Sequence, residues 1–255
     1  DFEAFEVIEK ADKRKVSVER FEFVRGREFS SGAPVGWIVK GVIPRAELGV
    51  IYGPPGSGKS FFALDIVMSI ARGVPWCGKR VTHSKVGYIA AEGAGGFKNR
   101  LQAYYDHHDV ANHDDIHVLA AVPNLLTKTD VIDLGNAIIH LGGLDVLVYD
   151  TLARGTTGGD ENSAQDMGLA IANCRAIHDA TGAMVILVHH SGKDASKGAR
   201  GSNAVLGAVD VEIEISRFDD NRTATVSKLK DGQDGDRFGF KLIEIPIGMD
   251  ADGDT

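Results

Sequence analysis

Gly53-Pro54-Pro55-Gly56-Ser57-Gly58-Lys59-Ser60 lies between the apolar run Leu48-Gly49-Val50-Ile51-Tyr52 and the stretch Phe61-Phe62-Ala63-Leu64-Asp65-Ile66-Val67-Met68. Glycines at these spacings let a backbone curl with positive φ and turn several N–H groups onto one anion. The pattern GxxxxGK[ST] also sets an ammonium group, Lys59, and a hydroxyl, Ser60, at the N-terminus of a helix whose dipole favours the same anion. The sequence thus predicts a strand, a phosphate-binding loop of Gly53, Pro54, Pro55, Gly56, Ser57, Gly58, Lys59, Ser60 and Phe61, and then a helix. Gly53, Gly56 and Gly58 are expected to supply the curl.

Outward from the loop, short apolar runs alternate with stretches of helical period, the signature of βαβ units and a parallel sheet. Strands are expected at 48–53, 85–91, 116–121, 144–150 and 183–190. They are nearly continuous in Val, Ile, Leu and Ala, as in strands covered on both faces. Helices are expected at 59–72, 96–108, 129–141 and 163–181, with Thr129 and Ser163 as N-caps and Gly182 as a closing residue. From 211 the pattern alternates between Asp/Gly turns, so 211–218, 222–230 and 238–247 read as antiparallel strands that finish the sheet. The fold class is therefore α/β, a mostly parallel central sheet flanked by helices. Residues 1–36 form an arm or linker, where Val16, Val18, Phe21 and Phe23 alternate; 37–248 form one domain, and 249–255 a disordered tail.

The bulk numbers exclude several classes. At 255 residues, 43% hydrophobic and 25% charged, the chain has an ordinary globular composition, and no apolar run approaches the roughly 18 residues of a membrane span. Cys77 and Cys174 are far apart and outside any CxxC spacing, which disfavours a disulfide framework or zinc site and fits a reducing cytoplasm. Residues 1–20 are charged and lack a basic segment followed by an apolar one, which argues against a secretory signal, and the chain, starting at Asp1, reads as an excised fragment. The net charge of −8 argues against a surface uniformly adapted to nucleic acid, though not against a local basic path.

Five further groups carry candidate chemistry. Asp150 ends the run Leu144-Asp145-Val146-Leu147-Val148-Tyr149-Asp150, where a carboxylate would hold Mg²⁺ through water alongside Ser60; Asp145 reads as a turn residue. Glu92 ends GYIAAEG and is placed to act as general base toward an attacking water. His189 and His190 end MVILVHHSGK, and alternation turns them to opposite faces, so one alone can face the phosphates; His190 is the choice. The following segment, SGKDASKGARGSNA, offers Lys193, Lys197 and Arg200 to phosphates of a nucleic acid or of a neighbouring subunit's nucleotide. Lys228 and Lys230, two apart, are placed to reach across a subunit interface.

Taken in order, GPPGSGKS, the strand ending in Glu92, LDVLVYDTLAR, VILVHHSGK and ARGSNAVLGAVDVEIEI resemble the motifs of RecA-like P-loop ATPases of the plasmid RepA-type and phage replicative helicase group, over residues 37–248. The resemblance implies ATP with Mg²⁺ as ligands, Lys59 on the β- and γ-phosphates, Glu92 as catalytic base and His190 as γ-phosphate sensor. It further implies Lys193 and Lys197 on single-stranded DNA, and Lys228 and Lys230 as fingers acting on the adjacent subunit's ATP. The group carries Lys-x-Arg where this chain has Lys-x-Lys, and Lys lacks Arg's planar fork, so Arg200 stands as a third finger candidate. The expected activity is that of a DNA helicase in replication: a homo-oligomeric ring, a hexamer, in contact with other replication proteins. The competing expectation is a regulatory or accessory ATPase that acts on a protein partner.

Overall fold

The computed structural model describes residues 23–31, 36–110, 115–191 and 204–248. The chain divides into two compact units, Asp1–Pro34 and Val35–Thr255. In the first, the described residues form one short helix, α1 (Gly26–Ser30), with no buried residue. Val16, Val18 and Phe21 lie outside the described residues, as does 249–255.

The second unit opens with a small hairpin, β1 (Trp37–Val39) and β2 (Ile43–Pro44), that the sequence pattern had not marked. Then come β3 (Leu48–Gly53), α2 (Lys59–Arg72), β4 (Val86–Ala90), α3 (Ala94–His107), β5 (Ile116–Leu119) and α4 (Lys128–His140). They are followed by β6 (Val146–Asp150), α5 (Leu152–Gly155), α6 (Ala164–Thr181), β7 (Met184–His190), α7 (Ala204–Ala208), β8 (Val211–Phe218), β9 (Asn221–Leu229) and β10 (Arg237–Phe240).

The eight strands β3 to β10 form one sheet in the order β10-β9-β8-β3-β7-β6-β4-β5. Every neighbouring pair from β8 through β5 is parallel, and β9 and β10 are antiparallel additions. The fold is α/β, as the alternation of runs predicts. Continuous apolar strands make sense here because each face of the sheet has its own core. Leu48, Val50, Tyr52, Val185 and Leu187 point to the side of α4 and α6, whereas Ile51, Met184, Ile186 and Val188 point to the side of α2. Residues two apart share a face, so a strand buried on both sides must be apolar throughout.

Several ends differ from expectation for identifiable reasons. Helix α4 starts at Lys128 with Thr127, not Thr129, as its N-cap residue, and Thr127 makes no side-chain capping bond. By contrast α6 is capped as expected: the Ser163 hydroxyl accepts from the Asp166 amide at 3.2 Å, and Gly182 closes the helix with φ 75°. The strand expected over 238–247 stops at Phe240, which pairs with Arg222 one residue from the start of β9, and Leu242, Ile243 and Ile247 beyond it stay exposed. No described helix is long and apolar enough to cross a membrane.

Candidate functional site

Parallel pairing brings the carboxyl ends of β3, β7, β6 and β4 to one edge of the sheet, with Gly53 beside His190, and Asp150 beside both Ala90 and Val188. The segment Pro54–Ser57 closes as a turn, the Ser57 amide donating to the Pro54 carbonyl at 3.2 Å, before α2 begins. Gly58 caps α2 with φ 95°, and Gly56 has φ 72°. Gly53 has no positive φ, contrary to expectation; it is needed for closeness. A methyl group there would come within 2.2 Å of the Ile215 carbonyl oxygen on β8.

The side chains that follow converge. Lys59 is 5% exposed and donates from Nζ to the Pro54 carbonyl at 3.0 Å, curling back over the loop. Burial lowers its pKa, opposed by the charges of Glu92 and Asp150. Asp150, 3% exposed, accepts a hydrogen bond on Oδ2 from the Tyr88 hydroxyl at 2.6 Å. Burial raises the Asp150 pKa; the hydroxyls of Tyr88 and Ser60 pull it down, Glu92 pushes it up and Arg100 lowers it. Ser60 exerts this influence without a good hydrogen bond to Oδ1, which is buried and unpartnered. Tyr88 is itself fixed by stacking on Phe97, with ring centroids 4.3 Å apart, and its pKa is pushed well up by burial and by the Asp150 charge.

Glu92 stands just past β4, where its Oε1 accepts from the Thr151 hydroxyl at 3.1 Å and lies 3.5 Å from His190 Nε2. His189, one residue earlier, is turned to the opposite face by the alternation along β7 and is fully buried. Phe61, in the first turn of α2, is 41% exposed and carries the Arg100 guanidinium 4.7 Å above its ring.

One edge thus unites the phosphate loop, Lys59, Ser60, Asp150, Glu92 and His190. Other candidates lie elsewhere. Lys228 and Lys230 sit at the amino end of the sheet, near the start of β8: Lys228 Nζ donates to the Leu206 carbonyl at 2.7 Å and pairs with Glu212 at 3.6 Å, and Lys230 pairs with Asp210 at 3.2 Å. They do not reach their own chain's phosphate loop. Lys193, Lys197 and Arg200 lie outside the described residues. Asp145 holds Arg45 at 3.1 Å and the Lys85 amide at 2.9 Å, the work of a turn residue.

Sequence reasoning passed over Tyr88, Thr151, Arg100, Arg217 and Arg222. Tyr88 was in principle visible, two residues before Ala90 on the strand paired with that of Asp150. The two hairpin arginines were not, since only the sheet order brings them to the loop.

The residues fit a triphosphate and its metal. The loop has no room for a side chain at Gly53, and the Ser57 hydroxyl and Asp150 Oδ1 are buried without partners. The buried Lys59 ammonium has no carboxylate ion pair among the described residues. No group of three or more His, Cys, Asp or Glu among those residues could hold a metal by itself, so an ion here would share its ligands with phosphate oxygens and water.

The sequence matches a protein family described as an AAA domain over residues 15–196. Among solved structures, the crystal structure of the RadB recombinase is similar, at 14% identity and a TM-score of 0.54, with 77% of this chain and 87% of that chain covered. At that identity the likeness concerns the fold. No curated protein matches the chain in sequence.

Proposed function

This chain belongs to the AAA-domain family and is an ATPase of RecA-like fold; on that premise we propose that it is an ATP-driven motor acting on single-stranded DNA in replication, as a homo-oligomeric, hexameric ring in the cytoplasm. The observation that supports this most is the Glu92–His190 contact at 3.5 Å. It joins the residue best placed to activate water to the end of β7, and the chain runs from there directly into the segment holding Lys193 and Lys197.

In the proposed reaction the loop amides and Lys59 grip the β- and γ-phosphates. Ser60, and Asp150 through water, would hold Mg²⁺, which when bound neutralises charge on the phosphate oxygens. Tyr88 keeps Asp150 aimed and Thr151 keeps Glu92 aimed. A water loses its proton to Glu92 as its oxygen attacks the γ-phosphorus, and the bond to the bridging oxygen breaks to leave ADP and phosphate. His190 then reports the loss of the γ-phosphate by changing its contact with Glu92. Lys193 and Lys197 are proposed to contact the DNA backbone, and Lys228, Lys230 or Arg200 to act on a neighbour's nucleotide.

The test is ATP turnover with and without single-stranded DNA, alongside molecular mass with and without nucleotide. Stimulation by DNA together with a nucleotide-dependent hexamer supports the motor. Turnover that ignores DNA and rises only with a partner protein replaces it with the accessory ATPase, a reading that the net charge of −8 favours.

A further inference from the structure

The sheet order gives the site a direction. Asp150, Glu92 and His190 come from β6, β4 and β7, all on one side of β3. On the other side, the β8–β9 hairpin and β10 bring Arg217, Arg222 and Phe240 to the same edge, with Arg222 paired across from both other residues. Arg217 donates from Nη1 to the Gly56 carbonyl at 3.4 Å. Arg222 lies against Gly58, where an added methyl would meet its Cδ at 3.0 Å and its Nε at 3.2 Å, with Phe240 next at 3.5 Å. A γ-phosphate attacked near Glu92 therefore leaves the nucleoside end of the substrate toward β8, β9 and β10.

Arg222 is only 9% exposed, yet its Nε has no hydrogen-bond partner. Its Nη1 donates to the Asp220 carbonyl at 3.1 Å, and no carboxylate forms an ion pair with it among the described residues. A guanidinium cannot shed its proton, so a buried one calls for an anion. The loop beside it is built to hold anions.

We infer that Arg222 is a nucleotide-positioning residue in its own chain's site, its guanidinium set to meet the nucleoside-side phosphate of a bound nucleoside di- or triphosphate. This rests on the phosphate-loop reading and adds to it an arginine that acts in cis, from the opposite end of the hairpin to Lys228 and Lys230. Arg217, through Gly56, ties the hairpin tip to the loop.

The experiment compares binding of ATP, ADP and inorganic pyrophosphate, each with Mg²⁺, by calorimetry on the wild-type chain, Arg222→Gln and Arg222→Lys. Pyrophosphate fills the loop and reaches Lys59 but has no nucleoside end. With Arg222→Gln, ATP and ADP should weaken alike, by about tenfold or more for a lost charge-assisted hydrogen bond, while pyrophosphate affinity stays unchanged. Arg222→Lys should fall between wild type and Arg222→Gln, and it carries the test where Arg222→Gln does not fold. Equal weakening of all three ligands would reduce Arg222 to a prop for the loop and overturn the inference, as would unchanged ATP and ADP affinity. A wild-type chain that binds none of the three would instead bring down the phosphate-loop reading itself, and this inference with it.

Discussion

Gly53→Ala isolates the packing demand at the root of the phosphate loop. Its new methyl would sit 2.2 Å from the Ile215 carbonyl oxygen, and 3.1 Å from both the Ile215 carbonyl carbon and the Ser57 hydroxyl. Ordinary contact needs about 3.4 Å, so one backbone must retreat by about 1 Å. Neither is free to do so: β3 is clamped between β7 and β8, and β8 between β3 and β9. Overpacking costs about 1–3 kcal/mol, and a clash with paired backbone belongs at the upper end. With about 2–4 °C per kcal/mol for a domain of this size, a cost of about 3 kcal/mol lowers Tm by roughly 6–12 °C. Gly56→Ala is the control. Its φ is 72° but nothing lies within 4 Å of an added methyl, so only the left-handed backbone is penalised, at roughly 1–2 kcal/mol. Calorimetric unfolding without nucleotide compares the two. A Gly53→Ala Tm within about 2 °C of wild type, or a greater loss from Gly56→Ala, would refute the close-approach argument.

Glu92→Gln should cut ATP turnover by about 10²–10⁴-fold with ATP binding retained, measured by phosphate release and equilibrium binding; near-normal turnover would move the base elsewhere. Asp150→Asn should unfold at a higher temperature than wild type at neutral pH while losing Mg²⁺-dependent hydrolysis. The sign follows from burial, which raises the Asp150 pKa above its ordinary 3.8: the folded state prefers the proton, so this contribution to stability is full below 3.8 and is lost as pH rises through the raised value. Scans across acid and neutral pH should show the advantage of Asn growing as pH rises; no such growth would contradict the assignment. Lys193→Ala with Lys197→Ala should weaken single-stranded DNA binding and flatten its salt dependence, measured by fluorescence anisotropy at several salt concentrations; an unchanged slope removes the proposed contact.

Elements that depend on local pattern were legible in the sequence. The predicted 48–53 and 59–72 coincide with β3 and α2, because an apolar run and a helical period meet at glycines whose positions leave little choice. Ser163 and Gly182 likewise bound α6 through short-range bonds. What pairing decides was not legible. Nothing local tells 238–247 that its pairing with β9 ends with Arg222 opposite Phe240. The role of Gly53 belongs to this second class, since its crowding comes from Ile215, on a strand that sequence alone does not place beside it. Arg217 and Arg222 near the loop, and Lys228 and Lys230 far from it, follow from the hairpin's antiparallel course: one end must lie at each edge of the sheet.

The strand order also bears on how the chain is made. During synthesis Leu48–Gly53 emerges long before Met184–His190 and Val211–Phe218, the two segments that flank it in the finished sheet. Until then LGVIYG is a sticky, unpaired ribbon, and Trp76 and Phe62 have neither Phe238 nor Phe240 to rest against. Such distant closure makes for slow assembly and an exposed nascent state. A ribosome-tethered chain cut short before Met184 should therefore cling to chaperones and hold no nucleotide.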